Sequence, residues 1–289
     1  MSVSRVLDAI APALQLSLST TTLFTSNESD SMTSKRLPNK VALITGGSNG
    51  IGRATCLRFA EEDASVVIAD LDEPAGSQLA EQLQRQGGRA LFVRTDVSNE
   101  ESVRNLVEQT LTEFSSIDIL INNAAAFVLR GIDASIDEWK QVLGVNVVGT
   151  ALVTKHVVPE MKRAGGGAIV NLGSISSFIA QPEFVTYSTT KAAISNMTRC
   201  LAEDLADSQI RVNAVCPGTV WTRIVEDLTR QQGLDRAAAD AHPDWGAAHM
   251  LKRIAEPREV ANAILFLASQ EASFITGENL MVDGGYTAR

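Results

Sequence analysis

From Lys40 onward the chain alternates between two patterns. Short, nearly unbroken apolar runs occur at VALIT (41–45), SVVIAD (65–70), ALFVR (90–94), IDILINN (117–123), GAIVNL (167–172), IRVNAV (210–215) and NLMVDGG (279–285). Between them lie longer stretches whose apolar residues recur every three or four positions. In EESVRNLVEQTLTEF, for example, Val103, Leu106, Val107, Thr110, Leu111 and Phe114 share one helical face. Runs that are apolar at every position predict strands covered on both faces. Repeated strand–helix alternation predicts an α/β fold, a doubly wound parallel sheet of about seven strands joined by right-handed crossovers, with helices on both faces. No linker interrupts residues 40–289, so they are read as a single domain.

The pattern is absent before that. Residues 1–39 include a weakly amphipathic stretch, VSRVLDAIAPALQLSL, followed by a segment rich in Ser, Thr and Asn with no sustained period. They are read as a poorly ordered leader. Asp8, Glu28 and Asp30, together with few arginines, count against an organelle-targeting peptide. Met32 is an alternative start.

Composition narrows the class. Of the 289 residues, 45% are hydrophobic and 20% charged, and the formal net charge is −9. That acidic balance argues against nucleic acid or an anionic membrane surface as a partner, since both attract basic patches. No apolar run approaches the roughly 18 residues that span a bilayer. Cys56, Cys200 and Cys216 are widely spaced among apolar neighbours, which predicts buried thiols in a reducing compartment, here the cytoplasm. His156, His242 and His249 have no ligand spacing, so no metal is expected.

Candidate chemistry begins at the end of the first strand. TGGSNGIGRA places Gly46, Gly50 and Gly52, with Ser48, Asn49 and Ile51 between them, at a strand-to-helix turn. Missing Cβ atoms let such a turn approach a pyrophosphate, which the amides of the next helix can hold. The second strand ends at Asp70, 18 residues after Gly52. A carboxylate there accepts from both hydroxyls of an adenosine ribose and repels a 2′-phosphate, so NAD is expected over NADP. Asp96 would suit the adenine amino group, with Val97 against the ring, and Asn123 and Ala124 would flank the ribose. All four follow strands at their carboxyl ends, where open α/β sheets bind ligands.

In EFVTYSTTKAAISN, Tyr187 and Lys191 stand four residues apart and share a helical face. With TGGSNGIG, Asp70, DV, NNAA, Asn146 in NVVG, Ser174 in NLGSIS, YSTTK and PGTVWT in this order, residues 40–289 resemble the short-chain dehydrogenase/reductase family. One departure is Ala125, where the family usually has Gly. The resemblance implies a Rossmann fold and an NAD-dependent interconversion of a secondary alcohol and its ketone. It makes Tyr187 the general acid/base, Lys191 the group that lowers its pKa, Ser174 the group that orients the substrate oxygen, and Asn146 the support of a proton relay. An ordinary tyrosine has a pKa of about 10, so poising it near neutrality takes about 4 kcal/mol of differential stabilisation. Tyr187 and Lys191 would also contact the cofactor. Pro217, Gly218, Val220 and Thr222 are implied at its nicotinamide end. A homo-oligomer, tetramer or dimer, is also implied.

Substrate choice is less legible. Phe127, Phe178, Ile179, Trp221, Trp245 and Met250 are candidates for an apolar pocket, and Arg130 and His249 for polar contacts. The insert QQGLDRAAADAHPDWGAAH reads as a mobile lid. A neutral or modestly polar, cyclic secondary alcohol or its ketone is expected. The alternatives are a 3-oxoacyl-carrier-protein ketoreductase docking its acidic carrier on Lys162 and Arg163, and a nucleotide-sensing protein without catalysis.

Overall fold

The computed structural model describes residues 35–288. The seven expected strands form there as β1 (Val41–Thr45), β2 (Ser65–Asp70), β3 (Arg89–Arg94), β4 (Ile119–Asn122), β5 (Gly167–Leu172), β6 (Ile210–Pro217) and β7 (Asn279–Val282). They make one sheet in the order β3-β2-β1-β4-β5-β6-β7, and every pairing is parallel. This is the doubly wound Rossmann-type fold. The chain reverses its winding direction between β1 and β4, which opens a crevice at their carboxyl ends, where such sheets take ligands.

The helices are α1 (Gly50–Glu61), α2 (Glu73–Arg85), α3 (Glu100–Phe114), α4 (Ile136–Leu143), α5 (Thr150–Arg163), α6 (Val185–Leu205), α7 (Arg223–Gln231), α8 (Arg236–Ala241) and α9 (Pro257–Ala268). Alternate strand residues point to opposite faces, so two apolar clusters form. Ala42, Ile44, Val66 and Ile68 pack with Phe59 of α1 and Ile264 of α9. Leu43, Val67 and Leu120 pack with Leu106 of α3 and Val157 and Met161 of α5. Both sheet faces are dry, which is why the strands read as unbroken apolar runs.

Three features depart from the sequence reading. Residues 1–34 of the expected leader lie outside the described residues, but Lys35–Asn39, counted with it, pack on the domain. Leu37 is 2% exposed within the first cluster, and the Arg36 amide donates to Glu62. Cys56 and Cys216 are buried as expected, whereas Cys200 is exposed.

The third departure concerns helix length. Ile136–Arg163 runs as one rod long and apolar enough to cross a membrane by length and composition. Its Val142, Val153, Val157 and Met161 are buried, and a core helix against a sheet needs the same apolar stripe. Its centre, Gly144–Gly149, is a π-helical turn. No residue there announces the extra backbone residue, because glycine and valine occur at both ends of the turn.

Candidate active site

The strand–turn–helix β1–α1 is built by close approach. A Cβ on Gly52 would lie 2.0 Å from the Gly46 carbonyl, so only glycine lets α1 start there. Gly46 (φ 61°) and Gly50 (φ 54°) hold backbone angles that favour glycine. Asn49, at the N-cap of α1, makes no side-chain bond to the first-turn amides, and no acidic residue stands in that turn. Its amide nitrogen donates instead to Asp72 at 3.2 Å. The first turn therefore keeps its positive end for an outside anion.

Asp70 faces this turn. Its two carboxylate oxygens accept from the Ser48 amide at 2.9 Å and the Asp72 amide at 3.1 Å. Each oxygen retains a lone pair, so the carboxylate is fixed and can still accept a hydroxyl. Arg53 points away, to Gln82 at 3.0 Å. The Asp96 Oδ1 is held by the amide and hydroxyl of Ser98, at 2.9 and 2.6 Å. Val97 is buried, packed against Gly149 of the π-helical turn.

Asn123 has a bracing position that the sequence reading missed. Its amide nitrogen donates to the carbonyls of Thr45 at 2.9 Å and Gly46 at 2.8 Å, tying the end of β4 to the glycine turn. The Thr45 hydroxyl accepts from the amides of Asn123 and Ala124. Thr45 was not singled out from the sequence, because its partners lie 78 and 79 residues away.

At the carboxyl end of β5, Ser174, Tyr187 and Lys191 come together, all buried. Ser174 hydrogen-bonds the Tyr187 phenol. The Lys191 Nζ lies 5.6 Å from the Tyr187 ring centroid and donates to the Leu172 carbonyl at 2.7 Å. Burial pushes the Tyr187 phenol well above its ordinary range, and the Ser174 hydrogen bond only partly opposes this. The same burial brings Lys191 down to about 8. The expected lowering of the phenol by Lys191 is thus absent from the chain alone: both groups pay for desolvation before either helps the other.

Asn146 joins the site from the π-helical turn. Its Oδ1 accepts from the Ala126 amide at 2.7 Å, and its amide nitrogen donates to the Ala126 carbonyl at 3.1 Å and the Thr190 hydroxyl at 3.0 Å. These bonds brace the loop after β4 and the helix face beside Lys191. On the other side, the Thr186 hydroxyl donates to the Val128 carbonyl. With both its neighbours pinned, Phe127 stacks on Tyr187 with centroids 5.1 Å apart at 20°, while Phe184 meets the same ring edge-on at 6.2 Å. Thr186 carries no signal in the sequence, since its role depends on a loop more than 50 residues away.

β6 ends at Pro217, and the Gly218 amide that follows donates to the Val282 carbonyl at 3.1 Å. Val220 is buried in a bridge with Ala255. Thr222, at the N-cap of α7, makes no capping bond with its side chain. A Cβ on Gly50 would meet its methyl at 3.2 Å, so Thr222 closes the cleft opposite the glycine turn.

Comparison with known proteins bears on this architecture. A family model described as enoyl-(acyl carrier protein) reductase matches residues 46–287. The chain is 43% identical over 251 residues to cis-4-hydroxycyclohexanecarboxylate dehydrogenase of Sinomonas cyclohexanicum, covering 86% of this chain and 97% of that protein. The chain belongs to the short-chain dehydrogenase/reductase family. It is also 40% identical over 254 residues to cyclopentanol dehydrogenase of Comamonas testosteroni, covering 88% and 99%. A solved structure of 7α-hydroxysteroid dehydrogenase in complex with NADH and 7-oxo glycochenodeoxycholic acid matches with a TM-score of 0.79 at 30% identity, covering 87% and 96%. The chain is therefore an oxidoreductase of the short-chain dehydrogenase type, acting on CH–OH groups.

Within that family frame, two expected polar contacts fall elsewhere. Arg130 is paired with Glu138 at 2.7 Å, and His249 is buried under the turn after β6. The insert holds α8 and the short turn Gly246–Ala248, and Arg236 of α8 lies 4.8 Å over the Trp221 ring. Trp245 donates to Gln232 at 2.9 Å, Met250 is exposed beside Gly285, and Phe178 is exposed after β5. Lys162 and Arg163 end α5 before β5 begins, so they lie a strand length, about 20 Å, from the Ser174 edge.

Proposed function

We propose that this protein uses NAD+ to oxidise a neutral secondary alcohol carried on an apolar ring, with Tyr187 as the general base, and that it runs the reverse reduction with the same residues. The observation carrying this reading is the buried cluster of Ser174, Tyr187 and Lys191 at the carboxyl end of β5, with Phe127 stacked on the phenol. Ser174 and Tyr187 present two hydroxyls to one point, which suits a substrate oxygen that must be held and relieved of its proton. Phe127 and Phe184 supply apolar surface beside that point.

The cleft fits a dinucleotide: α1 keeps an uncapped N-terminus, Asp70 is held toward the glycine turn, and Thr222 keeps a hydroxyl uncommitted to its helix. Gly46, Ser48, Asn49, Gly50, Ile51 and Gly52 would hold the pyrophosphate. Asp70 would hold the adenosine ribose, and Asp96, Val97, Asn123 and Ala124 the rest of that half. Pro217, Gly218, Val220 and Thr222 would hold the nicotinamide half. The bound dinucleotide supplies the hydride acceptor and a positive ring. Asp70 favours NAD over NADP because a carboxylate repels a phosphate.

The residues then divide the proton work. Ser174 holds the alcohol oxygen. Tyr187, its own proton already released to solvent, takes the alcohol proton as the phenolate. Lys191, charged below about 8, is the cation that stabilises this phenolate before it is protonated. Asn146 keeps the loop bearing Phe127 and the helix bearing Lys191 in register.

Charge on the substrate separates the two named relatives. Among the described residues around the insert, Arg236 pairs with Asp240 and Glu256, Arg253 with Glu259, and Arg230 with Glu226 and Asp227. Arg130, after β4, is paired as well. A ring carboxylate would have to compete with these partners, so a neutral ring is favoured. Absorbance at 340 nm with NAD+ tests this: cyclopentanol or cyclohexanol should be oxidised with a kcat/KM at least tenfold above that of 4-hydroxycyclohexanecarboxylate. A preference for the carboxylate would overturn the neutral-substrate reading.

A further inference from the structure

His249 follows the short turn Gly246–Ala248 and is 2% exposed. The Thr219 amide donates to its Nε2 at 3.1 Å. Its Nδ1 lies 3.1 Å from the Trp245 carbonyl and 3.3 Å from that of Gly246. An amide can donate only to a ring nitrogen with a free lone pair, so Nε2 acts here as the acceptor and Nδ1 faces those carbonyls as the donor. The ring also meets Tyr286 at 5.3 Å and 64°.

Three parts of the chain therefore meet at one imidazole: the turn after β6, the base of the helical insert, and the segment after β7. The fit against the turn is close, since a Cβ on Gly218 would stand 2.7 Å from Nε2. Thr219 lies between Gly218 and Val220, so its amide direction sets the path of the turn that ends at Thr222. The neighbouring amides and carbonyl already have backbone partners: Gly218 donates to Val282, Ala255 to Thr219, and Trp221 to Ala255. The Thr219 amide alone among these takes a side-chain acceptor.

We propose that His249 is a positioning residue: its Nε2 accepts from Thr219 and thereby holds Gly218–Thr222 in the shape that receives the nicotinamide half of the dinucleotide. This rests on the reading of the chain as a nicotinamide-dependent dehydrogenase. His249 touches neither the substrate nor the reacting atoms. Without the acceptor, a half-buried amide loses its partner, and the turn must move to find water or another acceptor.

Two amides of similar polarity separate this role from simple packing. In His249→Gln the amide oxygen reaches the Nε2 position and can accept from Thr219. In His249→Asn the shorter side chain reaches only the Nδ1 position. NADH affinity, read by fluorescence titration, should stay within about threefold of wild type for Gln and fall about tenfold for Asn, the scale of one hydrogen bond lost from a half-buried donor. The KM for NAD+ should rise with it, and kcat at saturating NAD+ should fall less. Equal affinity in the two variants would overturn the proposal.

The ring nitrogens of the wild-type protein give a second reading that needs no variant. Nitrogen-15 shifts should show Nε2 unprotonated and Nδ1 protonated, and the opposite tautomer would also overturn it. Failure of the wild type to bind NADH would instead sink the dehydrogenase reading on which the proposal stands.

Discussion

The Lys191 ammonium stands 5.6 Å from the centre of the Tyr187 ring and donates to the Leu172 carbonyl at 2.7 Å. The two residues are one helical turn apart, yet the lysine is anchored to the strand that carries Ser174 rather than to the phenol. Both are buried, and burial moves each toward its neutral form: Tyr187 up, Lys191 down to about 8. The pair is poised for a third charge, which the proposed positive ring of the dinucleotide would supply.

The lysine makes stability depend on pH in a defined direction. Its folded value of about 8 lies below the ordinary value of about 10.4, so between these the unfolded chain holds a proton that the folded chain has released. Stability contributed at this site rises with pH through that window. Relative to Lys191→Met, wild type should gain roughly 2–3 kcal/mol of unfolding free energy between pH 7 and pH 10. Urea unfolding at the two pH values measures it. A constant difference between the proteins would mean that Lys191 is not held down by burial.

Asp70→Ser removes the acceptor that faces the glycine turn and releases the Ser48 and Asp72 amides. NAD+ binding should weaken about tenfold, and the ratio of NADP+ to NAD+ efficiency should rise. Steady-state kinetics with both dinucleotides reads this directly. An unchanged ratio would take Asp70 out of cofactor selection.

Asn123 gives a test whose sign is set by hydrogen-bond polarity. Its amide nitrogen donates to two carbonyls, Thr45 and Gly46. Asn123→Ala loses those bonds, at about 1–2 kcal/mol, and Asn123→Asp places a carboxylate against the same carbonyls and should cost more. Thermal melts should rank wild type above Ala and Ala above Asp. An aspartate variant as stable as the alanine variant would contradict the brace.

Two glycines should respond in opposite ways to alanine. Gly52→Ala drives a Cβ into the Gly46 carbonyl and should abolish dinucleotide binding. Gly144→Ala meets nothing within 4 Å at an α-helical backbone position, and should stabilise the protein by about 0.5–1 kcal/mol. Melting temperature and NADH titration separate the cases. A destabilised Gly144→Ala would show that the π-helical turn needs its glycine.

The strands were legible because their signal is local: VALIT, SVVIAD and GAIVNL form strands over the residues read from the sequence, since both faces of each are buried. The glycine turn, Asp70 and the Ser174–Tyr187–Lys191 group were legible as motifs, and the structure gathers each group at the carboxyl edge of the sheet. What holds them was not. Asn123 works through Thr45, Phe127 through Asn146 and Thr186, and Thr219 through His249, across 20 to 78 residues of chain. Such pairings depend on which strand ends meet, and no single residue carries that information. His249, a candidate polar contact in the sequence, is instead folded under the turn after β6, where the Thr219 amide meets it.

The most direct test of the central claim is Tyr187→Phe, assayed for cyclopentanol oxidation with NAD+ at 340 nm alongside NADH titration by fluorescence. The substitution removes one hydroxyl and preserves the ring that stacks on Phe127. Turnover should fall by at least a thousandfold while NADH affinity stays within about threefold of wild type. Turnover within tenfold of wild type would contradict the assignment of Tyr187 as the group that takes the alcohol proton.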